Sequence, residues 1–515
     1  MKNTFTQSMA WLHTWAGLIF GWLLFAIFVT GTLAVFDKEL SHWMQPEIPA
    51  STVSQADAAK RAISYLQQHQ ANAGNWGISL PTERSPGLSV STGDRRHGVV
   101  VPLDPNSGEP LAVRDSVGGN FFFRFHFTLD LPRNWGIFVV GALALVMLAG
   151  LISGIVIHKK IFKEFFTFRP DKGQRSWLDF HNASAVLLLP FHLMITYTGL
   201  VIFMMIYIPA GVDAVFEGDS RAYFQAQGNA RVEQPRRLAK TPAELVELAP
   251  LLAQAEARLG PIGSIGIRNP NTAAALIEVR PVLGNRIALT KGNAMVFDGV
   301  SGKLLSDVPE LRPAPLTQRV MAGLHFAQFG GYPMRWLYFI CGLISCAMIA
   351  SGLVLFCVKR GRKYAPADSR ADAAARRWYR VAEVCNVGFI SGLMVACVGL
   401  LWASRLLPAE LAQREAWEVR AFFGLWLLAL LHAGVRPAKQ AWVEQLALCA
   451  VLCGGLGVLG IFAGGVDHLR LGVEVTGLVL GIGLALAAWR VACPKPAVVK
   501  PRAARTMEAK AWSVW

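Results

Sequence analysis

Charge is what this sequence has least of. Only 16% of its 515 residues are Asp, Glu, Lys or Arg, where a soluble domain carries roughly 25%. By length alone the chain would make about three or four soluble domains. The shortage of charge excludes that reading. With 53% hydrophobic residues and a mean hydropathy of +0.38, the chain reads as an integral membrane protein. Acidic residues are the scarcer sign, 34 against 50 basic ones. Such a surplus can serve nucleic acid or anionic lipid. No Lys/Arg cluster is interleaved with aromatics on a polar face, so nucleic acid is excluded and membrane lipid is the expected partner. Cysteine is missing from the first 340 residues, and all eight lie between Cys341 and Cys493, in or beside apolar runs. That excludes a secreted disulfide framework and leaves buried free thiols. P-loop, Rossmann and flavin signatures are missing from every polar segment. Gly455-Leu456-Gly457-Val458-Leu459-Gly460 has the dinucleotide-binding spacing, but it sits inside an apolar run with no strand before it and reads as small-residue helix packing.

What is there, instead, is eight apolar stretches near 12–36, 135–157, 181–208, 334–357, 380–404, 419–435, 442–464 and 470–492. A helix needs about 20 residues to cross hydrocarbon. The first run is too long for a signal-peptide core and lacks a small-residue cleavage site, so it reads as an uncleaved anchor. Lys159, Lys160, Lys163, Arg169, Lys172 and Arg175 follow the second run. Lys359, Arg360, Arg362, Lys363, Arg370, Arg376, Arg377 and Arg380 follow the fourth, and Lys495, Lys500, Arg502, Arg505 and Lys510 lie in the tail. The positive-inside rule then places both termini in the cytoplasm and the two long loops on the opposite face. The expected fold class is an α-helical integral membrane protein of about eight transmembrane helices with two periplasmic α+β loop domains. Its divisions are a first helix in 1–36, a first loop domain in 37–134, helices two and three with a basic loop in 135–208, and a second loop domain in 209–333. A fourth helix in 334–358, a basic linker in 359–379, a four-helix module in 380–492 and a tail in 493–515 complete the chain.

The first half of the chain is an internal duplication, a feature to seek before any other. His13 precedes Thr30-Gly31 by 17 residues, and His181 precedes Thr198-Gly199 by the same 17. Each loop carries an amphipathic helix candidate, Gln55–His69 and Pro242–Leu259. Each then carries an Asp-initiated turn closed by Gly, at Asp104 and Asp298, that reads as a β-hairpin. After each comes a His in an apolar setting (Phe125-His126-Phe127 and Leu324-His325-Phe326), then a Pro and a Trp opening the next span. The two turns could bind a cation, although Asp more often caps its own turn.

At these residues the sequence resembles the PepSY-associated transmembrane proteins of bacterial inner membranes. The resemblance rests on Leu12-His13-Thr14-Trp15-Ala16-Gly17 with Thr30-Gly31, and on Ser153-Gly154-Ile155-Val156-Ile157-His158-Lys159-Lys160. It continues through Phe166-Thr167-Phe168-Arg169-Pro170, Trp177-Leu178-Asp179-Phe180-His181-Asn182 and Leu189-Pro190-Phe191-His192, and covers about 1–360. It implies PepSY-like loop domains, haem bound in the membrane, and a reductase that takes iron from a ferric siderophore in the periplasm.

The histidines can be read without the resemblance. Six of the 11 sit at membrane-embedded or boundary positions of the duplicated half: His13, His126, His158, His181, His192 and His325. Ionisable residues at that depth are rare and usually functional. A single one, such as His13, could equally be an interfacial His bonded to headgroups or backbone. His181 and His192 are 11 residues apart, roughly 16 Å along a straight helix and within about 20° of one face. One helix with two inward imidazoles at two depths suits two haem b groups in an electron path, each iron taking a second axial His from elsewhere. Depth places His13, His158 and His181 at the cytoplasmic end, His126 and His325 at the outer end, and His192 deeper, towards the outer half. Zinc would want one tetrahedral cluster, and no carboxylate or thiol accompanies these positions. All six are candidate cofactor-binding residues, as ligands of haem iron. Cys449 and Cys453 read as packing, while His432 and His468 leave room for a third cofactor. The catalytic residues are not legible.

Two function classes follow. One is a membrane oxidoreductase passing electrons from the cytoplasmic side or the quinol pool, through an unidentified donor, to a periplasmic ferric siderophore. The other is a non-enzymatic, membrane-anchored periplasmic binding or regulatory module whose histidines are structural. A transporter is less favoured, since no span carries the acidic residues or broken-helix pattern of an ion-coupled site.

Overall fold

The computed structural model describes residues 4–93, 98–158, 169, 172–219, 222, 238, 241–290, 292–308, 311–364, 373–461 and 467–493. Lys159, Lys160, Lys163, Phe166-Thr167-Phe168, Pro170, Arg370 and the basic residues of the tail lie outside the described residues.

Among the described residues seven helices are long and apolar enough to cross a membrane, and one bent pair would make an eighth if it forms a single broken span. The first is α1 (Phe5–Ala34), which starts ahead of the expected boundary because the Thr4 side chain caps it, accepting from Gln7 N at 3.3 Å. A short helix, α2 (Asp37–Met44), follows it. The first loop carries α3 (Gln55–His69), and after it α4 (Asn120–Thr128) leads into the second span, α5 (Arg133–Ile157). The bent pair is α6 (Gln174–Leu187) and α7 (Leu189–Ile202), set at 64° to each other. After the second loop come α9 (Pro313–Phe326) and the fourth span, α10 (Gly331–Tyr364). The last four spans are α11 (Ala373–Val387) continuing through a π-helical turn at Gly388–Gly392 into α12 (Leu393–Leu406), then α13 (Arg414–Val435), α14 (Ala438–Gly454), which runs on into a short helix at Leu456–Ile461, and α15 (His468–Ala492).

The break between α6 and α7 corrects the sequence reading, which ran one straight helix through 181–208. Pro190 occupies the first turn of α7. Its ring has no N–H to give the carbonyl four residues back and crowds it, so the helix ends at Leu188 and restarts in a new direction. The inference that His181 and His192 share one helix face therefore fails, and so does the expectation that no span is broken.

The two long loops join into a single seven-stranded antiparallel sheet, β3-β2-β1-β4-β5-β6-β7. The first loop supplies α3 (Gln55–His69), β1 (Asn75–Ser79), β2 (Leu88–Thr92) and β3 (Val99–Leu103). The second supplies α8 (Leu248–Leu259), β4 (Ile262–Arg268), β5 (Leu276–Pro281), β6 (Met295–Asp298) and β7 (Leu304–Ser306). The copies meet at β1 and β4, where Trp76 faces Ile267, Gly77 faces Gly266 and Ile78 faces Ile265. α3 and α8 share one core with the sheet, in which Ala58, Ala59, Ala62 and Leu66 meet Leu251, Leu252 and Ala255 over Trp76, Ile78 and Ile277.

The Asp298 turn is a hairpin as expected, with Asp298 N bonded to Lys303 O at 2.8 Å. The Asp104 turn has the same closure, Asp104 N to Glu109 O at 2.8 Å, but only one bridge, Leu103 to Pro110, follows it. Pro110 offers no N–H to extend a strand there. Both Asp side chains accept from their own turns: Asp104 from Asn106 N, and Asp298 from Val300 N and Ser301 N. They cap turns, which accounts for them without a cation. The second amphipathic helix starts at Leu248 rather than Pro242.

Candidate functional site

The four-helix half formed by α1, α5, α6–α7 and α10 holds two cavities, one at each end of α1. Near the start of α1, a cavity of about 460 Å³ is lined by His13, His158 and His181. Towards its end, one of about 660 Å³ is lined by His126 and His325. Leu24 and Met147 belong to the walls of both and stand between them. Both volumes lie in the range of small-molecule and cofactor sites, roughly 300–1,000 Å³. His13 and Gly31 mark the two levels on α1, 18 residues apart, or about 27 Å at 1.5 Å per residue. That is close to the hydrocarbon thickness of about 30 Å.

The duplication resolves into two histidine pairs. His13 and His181 have ring centroids 6.2 Å apart, and His126 and His325 have theirs 6.0 Å apart. Each ring is oriented by its Nδ1. His13 Nδ1–H donates to Gly150 O at 3.0 Å and lies 3.2 Å from Ser153 Oγ. His181 repeats this on α10, donating to Met348 O at 2.9 Å with Ser351 Oγ at 3.4 Å. His126 Nδ1–H donates to Ile27 O at 2.8 Å. His325 Nδ1–H donates to Thr198 Oγ1 at 3.1 Å, and that hydroxyl in turn donates to Met194 O at 2.7 Å. Bonds to a carbonyl or an already committed hydroxyl fix the Nδ1–H tautomer and leave the Nε2 lone pair uncommitted.

Glycines make the seats for these rings. A Cβ on Gly31 would lie 2.6 Å from His126 Nδ1, and one on Gly199 would lie 2.9 Å from the His325 ring. Gly352 stands in the same relation to His181, at 3.0 Å. The sequence reading used Thr30-Gly31 and Thr198-Gly199 only as landmarks of the repeat. Their equal spacing from His13 and His181 was the available signal that they serve equivalent seats. In the last turns of α4 and α9, burial pushes the His126 imidazole below its ordinary range. Burial, then the neighbouring His126, pushes His325 down to about 3. Both shifts favour the neutral imidazole, the form in which a histidine can bind a metal.

These residues fit a bis-histidine haem. Such a haem would be held by His13 with His181 and by His126 with His325, each pair lining one cavity with its Nε2 atoms uncommitted, and would supply one-electron chemistry there. Among the described residues no group of three or more His, Cys, Asp or Glu is arranged to hold a metal ion by itself. A haem iron asks only two ligands of the protein.

The other two candidates fall differently. His158 lines the cavity of His13 and His181 as a third histidine, at the end of α5. His192 is fully buried and lines neither cavity. The sequence reading gave it no hydrogen-bond partner at membrane depth, and the structure corrects this, since its Nε2 meets Ser345 Oγ of α10 at 2.9 Å. His432 is bonded to Glu444 at 2.7 Å and to Gln445 at 3.2 Å. Cys449 and Cys453 are buried free thiols in a small apolar cluster.

Polar residues crowd the rims. Lys359 and Arg360 stand at the first cavity, Arg360 lying 3.8 Å over the Phe356 ring. Arg133, Arg319 and Arg335 stand at the second. Arg84 ties α2 to the sheet by pairing with Glu39 at 2.7 Å and Asp37 at 3.3 Å. Arg169 pairs with Asp179 at 2.8 Å, joining two of the motifs quoted above.

No curated protein matches the chain. The family model described as the PepSY-associated TM region matches residues 10–359, which hold the whole sheet and every residue lining the two cavities except Arg360. The chain therefore belongs to the PepSY-associated TM family, as a multi-pass membrane protein with four further spans beyond the matched region.

Proposed function

We propose that this protein is a haem-containing reductase of the bacterial inner membrane, passing electrons from the cytoplasmic side or the quinol pool to a ferric siderophore in the periplasm. The observation that carries the reading is the duplicated pair of imidazoles, each ring held through Nδ1 and the two rings of each pair about 6 Å apart on the wall of one cavity. His13 with His181, and His126 with His325, would hold one haem b each. When bound, the two haems supply one-electron carriage across the membrane, and Fe(II) is less firmly held than Fe(III) by a hard-oxygen chelate. The protein's own part is orientation and exclusion of water. Gly150, Met348, Ile27 and Thr198 fix the rings, the glycine seats admit them, and Leu24 and Met147 keep the space between the cavities apolar. The Lys and Arg residues that flank α5, α10 and the tail support cytoplasmic termini and a periplasmic sheet. The electron donor is a separate molecule, quinol or a redox protein. The test is the ferric-chelate reductase activity of the purified, pre-reduced protein: re-oxidation on addition of a ferric siderophore supports the reading. A stably reduced protein, or a colourless one, refutes it.

A further inference from the structure

The last four spans, 373–492, lie beyond the matched family region, and the structure points to a task for them. α4, which carries His126, is held between the outer cavity and this added module. Its Phe123, His126 and Phe127 line the cavity. Its Phe121, Phe122 and Phe125 are buried on the other side. There Phe121 meets Phe422 of α13 with ring centroids 4.9 Å apart. Phe125 meets Phe422 at 5.5 Å, Phe423 at 6.2 Å and Trp426 at 6.3 Å. Phe422 is itself fully buried.

The segment that leads into α4 is gripped as well. Arg414 and Glu418, one turn apart on α13, form an ion pair in which neither side chain is exposed. A buried pair is tolerable only if its remaining donors and acceptors are satisfied. Here the loop satisfies them. Glu418 accepts from Ser116 Oγ at 3.0 Å and from Val117 N at 2.9 Å. Arg414 donates to Asp115 O at 2.6 Å, and to Ser404 O, at the end of α12, at 2.6 Å. Arg114 adds a bond to the same Ser404 O at 3.0 Å. Residues 114–117 are thus fastened to the module by backbone and side chain, three residues ahead of α4.

We propose that Arg414, Glu418 and Phe422 are positioning residues for His126, and that the added module is a brace setting the outer imidazole pair. The proposal rests on the haem reading of His126 for its redox consequence, but not for the brace itself. His13 and His181 lie at the other cavity, so they supply an internal control.

The experiment is hydrogen–deuterium exchange on the full chain in nanodiscs, with a redox titration of the same samples, for Phe422→Ala, the milder Phe422→Leu, and Glu418→Ala. Emptying the space behind α4 is expected to speed exchange in 119–128 by about tenfold or more in Phe422→Ala. A smaller effect is expected in Phe422→Leu, and none in 174–187. One of the two haem transitions should move in potential while the other stays. Unchanged exchange in 119–128 in all three variants would overturn the brace. Faster exchange with both transitions unmoved would overturn the positioning of His126. A colourless wild type would refute the haem reading instead, and the exchange would still decide the brace.

Discussion

Gly31→Ala isolates the His126–His325 pair without touching a histidine. The added methyl would stand 2.6 Å from His126 Nδ1 and 2.7 Å from its Cε1. Non-bonded carbon contacts settle at about 3.5–4.0 Å, so the ring must retreat by about 1 Å. Metal sites hold their ligand distances to about 0.2 Å. The same retreat stretches the bond from Nδ1 to Ile27 O, now 2.8 Å, and an orphaned buried N–H costs about 1–3 kcal/mol. Overpacking adds about 1–3 kcal/mol. Membrane insertion is spared, because Ala favours a helix interior over Gly by about 1 kcal/mol. The expected result is a protein that inserts normally, keeps one haem, and loses or converts the other from its low-spin form, read as haem per chain and as the visible spectrum. Gly424→Ala is the control, with nothing within 4 Å of its added Cβ, and it should match the wild type. Two unperturbed haems in Gly31→Ala would refute the seat.

Other expectations are as direct. His181→Ala should remove the haem of the first cavity and leave that of the second. His192→Ala should keep both, since Ser345 Oγ still donates to Cys341 O at 2.7 Å; loss of a haem would return His192 to the ligand set. Arg84→Ala takes the guanidinium from the buried Glu39 carboxylate, which keeps only the Tyr332 hydroxyl at 3.1 Å, and should cost about 3 kcal/mol, seen as a lower unfolding temperature; an unchanged transition would show the pair to be idle. A reporter fused after Lys363 should be cytoplasmic and one inserted near Gly228 periplasmic, and the opposite labelling would reverse the proposed direction of electron flow.

Much of this was legible because the chain repeats itself. The equal spacing of His13 from Gly31 and of His181 from Gly199 marked the two halves. His126 and His325 then stood out as polar rings in Phe-rich settings. What stayed hidden was non-local. Which ring faces which depends on α4 and α9 folding back over the ends of α1 and α7. No spacing along the sequence encodes that. The bend at Leu188 had a local signal in Pro190, but proline is tolerated in membrane helices, so the straight reading of His181 and His192 was natural and wrong. Ser345 lies 153 residues from His192, which is why His192 looked unpartnered. The grip of Arg414 and Glu418 on 115–117 was equally out of reach, since both residues read locally as an ordinary helical pair beside an apolar run.

The central claim is two bis-histidine haems in one chain, and the pyridine haemochrome assay on purified wild-type protein tests it most directly. The account predicts haem b at two per chain, low-spin in both oxidation states. A colourless protein, or a single haem that survives both His181→Ala and His126→Ala, would contradict it.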